Sequence, residues 1–164
     1  MIAPRPVTRA DLGEAVRLLG ALNARGERLE PRYRLRVDAP ERLRELMRDA
    51  WFGTFLPFPT CWVVGDEPLI GLISGTIMQD HPVLDRPHTV RIDNLFVVPE
   101  HRGQGHGRRL VEAFCRAAHR SGTPRIDVGT LSADAGALSF WRAIGFADLR
   151  VTLSSLRDPA AEHP

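Results

Sequence analysis

Two hydrophobic periods alternate along this chain. Residues 2–7 read as a short opening strand. Thr8 then starts a helix, with Asp11 three residues on as its capping-box partner. Leu12, Ala15, Val16, Leu19 and Leu22 recur at helical spacing as far as Arg25. Asp38 and Glu41 repeat the start signal, with Pro40 in the first turn. Leu43, Leu46, Met47 and Ala50 form the apolar stripe of that second helix.

The period then falls to two. Residues 61–64, the turn Gly65-Asp66-Glu67-Pro68 and residues 69–78 read as a β-hairpin. Residues 89–98 form a long third run, ended by Pro99. Strict alternation puts Ile92, Asn94, Phe96 and Val98 on one face and Asp93, Leu95 and Val97 on the other. A glycine-rich loop, residues 100–107, leads into an amphipathic helix. Its Leu110, Val111, Phe114, Ala117 and Ala118 face inward, and Arg109, Glu112, Arg116 and Arg120 outward. Residues 125–130 read as a strand, and residues 135–144 as a short helix stopped by Gly145. Residues 146–156 supply the closing strand or strands. Strands that lead into helices, after an early hairpin, predict a mixed sheet covered on both faces.

The 164 residues make one domain, 1–164, with enough chain to bury a core. The 43% apolar and 26% charged shares exclude a disordered tail, a collagen-like chain and a coiled coil. No apolar run reaches the ~18–20 residues of a membrane span, and residues 1–9 have no signal-peptide pattern. The expectation is a cytoplasmic protein with no membrane partner. Cys61 and Cys115, the two cysteines, give neither a zinc ligand set nor a disulfide framework and read as core filler. No metal is expected. A net charge of +2, with arginines and acids alternating as in Arg108–Glu112–Arg116, argues for i,i+4 helix pairing and against nucleic acid. All 22 basic residues are arginine, so the chain carries no lysine amine of its own.

The chemistry concentrates in residues 91–120, a strand, a glycine loop and a helix. Gly103, Gly105 and Gly107 leave the loop free of bulk, so its backbone can approach a ligand closely. The next helix opens with unpaired N–H groups and a partial positive charge, a cradle for phosphate oxygens. Arg102, Arg108 and Arg109 flank it with donors suited to phosphate. Charge-assisted hydrogen bonds contribute roughly 1.5–3 kcal/mol each, so four or five of them supply micromolar binding after association costs. No lysine or hydroxyl follows the last glycine, which excludes a P-loop for ATP. The dinucleotide fingerprint after a first strand is missing too.

Asn94-Leu95-Phe96-Val97-Val98-Pro99-Glu100-His101-Arg102-Gly103-Gln104-Gly105-His106-Gly107-Arg108-Arg109-Leu110 resembles the acetyl-CoA motif of the GCN5-related N-acetyltransferases (GNAT), with Arg102, Gly105 and Gly107 at its fixed positions. Residues 134–146, with Phe140-Trp141 and Gly145-Phe146, resemble a second segment of that family, and residues 2–22 its first strand and helix. The resemblance implies an α+β fold: three layers, α/β/α, around a central mixed, mostly antiparallel sheet of six to seven strands. It implies acetyl-CoA as co-substrate in a splay between two neighbouring strands. Backbone groups of Leu95, Phe96 and Val97 would pair with the pantetheine arm. Amides of Gly103, Gln104, Gly105, His106, Gly107 and Arg108, with the Arg102 side chain, would hold the diphosphate. Phe140 and Trp141 would lie near the thioester.

The implied reaction is direct attack of an amine on the thioester. An alkylammonium of pKa near 10.4 is only about one part in 10³–10⁴ free base at pH 7, so a proton acceptor is needed. The Val97 amide is the candidate oxyanion donor. Trp141 stands where many members of the family have a tyrosine, and Gly129 where some have a glutamate. An indole N–H is no usable acid at neutral pH. Tyr33 is the single tyrosine, and nothing in the sequence brings it to the thioester. The remaining base candidates are Asp93, Asp127 and His88, with Asp93 preferred because it lies on the strand lining the cleft. His81, His101 and His106 read as surface loop residues.

Trp51, Phe52, Phe55 and Phe58 read as core or lid packing, with an acceptor pocket as the alternative. Glu30, Asp80 and Asp85 are either contacts for a cationic acceptor or solvated charges. The acceptor is a small-molecule amine or a protein amine. Similar proteins commonly form homodimers, and no stretch here marks an interface. The competing reading is a non-catalytic acyl-CoA-binding sensor module.

Overall fold

The computed structural model describes residues 2–53, 56–79, 83 and 88–154. Its elements follow in the order β1 (Arg5–Pro6), α1 (Leu12–Leu29), α2 (Ala39–Phe52), β2 (Cys61–Val64), β3 (Gly71–Gln79), β4 (His88–Val97), α3 (His106–Arg120), β5 (Arg125–Val128) and α4 (Ala135–Ala143). The strands form a five-stranded sheet in the order β1-β2-β3-β4-β5. All pairs are antiparallel except β4 and β5, which run parallel through the α3 crossover. The α+β class and the mixed, mostly antiparallel sheet are as expected.

Two cores sandwich the sheet. On one side Ala15, Leu18, Leu19 and Trp51 of α1 and α2 pack on Val63, Leu72 and Phe96. On the other, Leu110, Phe114 and Ala118 of α3 and Trp141 of α4 pack on Ile73, Val90 and Ile92. The three layers follow from these two apolar stripes. Cys61 is buried and Cys115 half-buried, and burial pushes both thiols up, as suits core filler.

The chain enters α1 through a short turn, Arg9–Asp11, that carries the expected capping box. The Asp11 carboxylate accepts the Thr8 amide at 2.8 Å and both ends of the Arg5 guanidinium at 2.7 and 2.8 Å. These bonds, led by Arg5, hold the Asp11 carboxyl well below the usual carboxylate range.

Three expectations change. The sheet has five strands among the described residues, not six to seven. Residues 146–154 keep their alternation but join no ladder among the described residues, with Leu149, Val151 and Leu153 exposed at 68%, 83% and 89%. Alternation marks which face a strand would bury; only a neighbouring strand makes it one. Residues 155 and 156 lie outside the described residues. Second, no ion pair joins Arg108, Glu112 and Arg116 among the described residues.

The third change is in β4. Ser74 pairs with Asn94 but Gly75 pairs with Ile92, so Asp93 is an extra residue with no partner on β3. An inserted residue shifts the alternation by one step. Val90 and Ile92 therefore share a core with Leu95 and Val97, while Phe96 crosses to the α1–α2 side. Strict alternation divides these residues the other way.

Beside the bulge, β3 and β4 approach so closely that a Cβ on Gly75 would lie 2.4 Å from the Arg91 carbonyl oxygen and 2.8 Å from the Phe114 ring. Gly75→Ala is expected to destabilise by roughly 1–3 kcal/mol through overpacking, read by chemical denaturation. Asp11→Ala removes the cap and is expected to cost about 1–2 kcal/mol at pH 7. Because the Asp11 pKa is lowered by folding, its contribution is present above the unfolded value near 4 and is lost as pH falls below it. The gap in stability between parent and Asp11→Ala should thus be widest at pH 7 and close in strong acid, measured by urea titrations across pH.

Candidate functional site

A cleft of about 610 Å³ opens where β4 and β5 part. The β4–β5 ladder runs only from Thr89↔Arg125 to Ile92↔Val128, and β4 continues to Val97 with no strand partner on that side among the described residues. The splay thus begins at the bulged Asp93. Downstream, Asn94 and Phe96 sit opposite Ser74 and Leu72 in the β3 ladder. Val98 N–H donates to the Ile70 carbonyl at 2.9 Å, which fixes the alternation of main-chain groups. The amides and carbonyls of Leu95 and Val97 accordingly turn toward the splay, and those of Phe96 toward β3. Of the three residues expected to offer main-chain groups to a pantetheine arm, Leu95 and Val97 turn theirs to the splay and Phe96 turns its own to β3.

Side chains lock the bulge. Asn94 donates to the Ser74 hydroxyl at 3.0 Å. The Asp93 carboxylate accepts from Thr76 Oγ1 on one oxygen and from Arg91 Nε on the other. Each oxygen keeps a lone pair for a further partner.

The glycine turn closes one end of the cleft. Gly103 and Gly105 have φ of +73° and +78°, backbone conformations that a side chain would strain. Gly105 is the residue before α3, so the amides of His106, Gly107 and Arg108 form its first turn and have no carbonyl one turn earlier. Arg102 and Arg108 make no ion pair within 4 Å among the described residues. Arg102 Nε donates to the Val97 carbonyl at 2.9 Å, and its guanidinium lies 5.6 Å from the Phe96 ring centroid. It thereby ties the end of β4 to the turn.

His106 is 7% exposed, not a surface loop residue, because the first turn of α3 carries it under the turn. Its Nδ1 accepts from Arg109 Nη2 at 3.1 Å. Burial, then the neighbouring Arg109 and His101, push its pKa down. Arg109, expected to face outward, folds back over the turn instead, donating also to the Gln104 carbonyl at 3.1 Å. His101 is half-buried and lines the cleft; His81 lies outside the described residues.

The opposite wall is α4. Asp134 caps it, accepting the Ala137 amide at 3.0 Å, and also accepts the Arg25 guanidinium from α1 at 3.0–3.2 Å. Arg25 is the chief reason its pKa is lowered. The pair joins the two helical layers across the cleft. Phe140 stands 3.4 Å from where a Cβ on Gly107 would be, so it flanks the first turn of α3. Trp141 is buried with its ring edge-on to Phe140 and Phe146, both centroids 5.1 Å away.

Asp93, Leu95, Phe96, Val97, Arg102, Gly103, Gly105, His106, Gly107, Arg108, Phe140 and Trp141 all line this one cleft. Gln104 does not; its side chain turns to the Glu100 carbonyl. Asp127 is held by Arg125 at 2.6 and 2.9 Å and lies off the cleft, as does the exposed His88. Tyr33 is 61% exposed on a turn outside the cleft. Trp51 and Phe58 are buried core residues; Phe55, Asp80 and Asp85 lie outside the described residues. Glu30 is paired with Arg32, which holds its pKa down to about 2. Nothing local in the sequence marks Arg25, since its partner is 109 residues away. Asp134 carries a signal, an acid just before a helical run.

Among the described residues no group of three or more His, Cys, Asp or Glu side chains is placed to hold a metal, and no helix is long and apolar enough to cross a membrane. The donors present suit an anionic ligand with an extended arm: helix-terminal amides and arginines without an acidic partner among the described residues at one end, the Leu95 and Val97 amides along the side.

The fold recurs in solved structures. Aminoglycoside N-acetyltransferase AAC(6')-Iy in complex with CoA superposes with a TM-score of 0.73 at 17% identity, over 96% of each chain. Protein BH1408 from Bacillus halodurans gives 0.75 at 20% identity, over 94% of this chain and 99% of that one. The aminoglycoside acetyltransferase meta-AAC0020, from an uncultured soil metagenomic sample and in complex with sisomicin, gives 0.69 at 17% identity over 95% of each. The model of the acetyltransferase (GNAT) family matches residues 25–146, which include the whole of the splayed strand, the glycine turn and α4. The chain therefore belongs to the GNAT family of acetyltransferases, enzymes that use acetyl-CoA.

Proposed function

We propose that the protein transfers an acetyl group from acetyl-CoA to an amine by direct attack within the β4–β5 splay. The observation that carries this is the continuity of three features along one cleft: the glycine turn, the Leu95 and Val97 amides turned to the splay, and the bulged Asp93. The amides of residues 103–108 and the Arg102 and Arg108 guanidiniums hold the diphosphate. The Leu95 and Val97 main chain holds the pantetheine arm like an added strand. Acetyl-CoA supplies an acyl group activated as a thioester. The Val97 amide donates to the acyl oxygen as negative charge develops there. Asp93 takes the proton of the incoming ammonium on the lone pairs that Thr76 and Arg91 leave free. No tyrosine stands in the cleft, so the leaving thiolate, with a free-thiol pKa near 8.5, departs without an acid from the position of Trp141. The acceptor is an amine of a small molecule or of a protein; the aminoglycoside enzymes among the structural neighbours make polyamine compounds the first panel to assay.

Thiol release from acetyl-CoA across an amine panel tests the reading. Turnover with at least one amine supports it; CoA binding without turnover on any amine indicates a binding module instead. Gly105→Glu puts bulk and negative charge into the turn and is expected to weaken CoA binding on the order of 100-fold, with the fold retained by circular dichroism. Undiminished affinity would remove the diphosphate from this turn. Asp93→Asn is expected to lower kcat/KM by roughly 10²–10⁴-fold and to change the pH–rate profile. An unchanged profile excludes Asp93 as the base.

A further inference from the structure

We propose that Arg109 is a positioning residue for the diphosphate turn, which rests on the assignment of the diphosphate to residues 103–108. Arg109 is the fourth residue of α3, and its guanidinium returns to Gln104 before the helix and to His106 at its start. One nitrogen, Nη2, bridges two acceptors: the Gln104 carbonyl and His106 Nδ1, each at 3.1 Å. Those acceptors stand on either side of Gly105, the residue whose φ of +78° sets the turn. Nη1 occupies the space beside Gly105, 3.1 Å from where a Cβ would be. Its Nε is buried and has no partner among the described residues.

Arg109 is half-buried, but its Nε is shut off from water without an acceptor, and a donor so placed on a cation is costly unless an anion lies near. Arg109 has no acidic partner within 4 Å among the described residues. The compensation available is the diphosphate on the other side of the turn. The guanidinium thus has two roles. It clamps residues 104–106 in the conformation that presents their amides, and it sets a fixed positive charge behind them. His106 takes part as acceptor: its Nδ1 can receive the bond only as the neutral ring with hydrogen on Nε2. That explains an imidazole at a buried position of the helix.

Calorimetric titration with CoA and with 3′-phosphoadenosine 5′-diphosphate, which has the diphosphate but no pantetheine arm, tests the clamp. Arg109→Met keeps the aliphatic stem and is expected to weaken both ligands about tenfold. Arg109→Lys retains a cation that reaches both acceptors and should recover most of the loss. Nitrogen-15 NMR of the parent should show His106 with its proton on Nε2, and Arg109→Met should lose that preference. Arg109→Met binding CoA within twofold of the parent overturns the proposal, as does a lysine variant no better than the methionine one. If Arg109→Met fails to fold, Arg109→Gln takes its place with the same criteria. Gly105→Glu separates the two levels. Normal CoA binding by that variant removes the turn assignment itself; its loss, with Arg109→Met unaffected, removes Arg109 alone.

Discussion

One surplus residue in a strand organises this molecule. With Asp93 in place, β4 has one more residue than β3 can pair. The extra residue reverses the alternation of faces, so β4 serves the α3–α4 core before the bulge and both cores after it. It also coincides with the point where β4 parts from β5. A sheet interior ordinarily leaves no main-chain donor free. Here the far end of a strand keeps the amides of Leu95 and Val97 turned to a gap, because the neighbouring strand has ended, while the Val97 carbonyl is taken by Arg102. The Ser74, Thr76 and Arg91 contacts keep the bulge from slipping back into register.

The rest of the cleft is built outward from that gap. Arg102 ties the Val97 carbonyl to the turn, so the strand edge and the glycine loop keep a fixed relation. Arg109 and His106 brace the turn from behind. Arg25 and Asp134 brace the opposite wall, linking α1 to the cap of α4. Arginine is the residue at each of these joints. Its planar fork binds two acceptors in a fixed geometry, which a lysine ammonium does less rigidly. A chain whose 22 basic residues are all arginine has made wide use of that property.

The electrostatics run along the cleft in one direction. Arg102 and Arg108, with no ion pair among the described residues, and helix-terminal amides gather at the turn, whereas the two acids on the lining, Asp93 and Asp134, are each held by an arginine. An anionic ligand is drawn to the turn, and its uncharged arm lies against the strand edge. This polarity orients a long substrate before any specific contact with its reactive end.

The sequence alone determined the local features. Capping residues set the start of α1, two apolar runs about the turn at residues 65–68 set the hairpin, and the glycines of residues 103–107 with the amphipathic run after them set the turn and α3. Each depends on residues a few positions apart, so the chain states it directly. What tertiary structure decided depends on partners distant in sequence. Whether residues 146–154 become a strand rests on a neighbour, not on their alternation. The exchange of faces in β4 rests on a count against β3, and the pairing of Arg25 with Asp134 closes a gap of 109 residues. Periodicity records which side of an element prefers to be buried; it carries no record of how many residues the facing strand supplies, nor of which helix end arrives opposite.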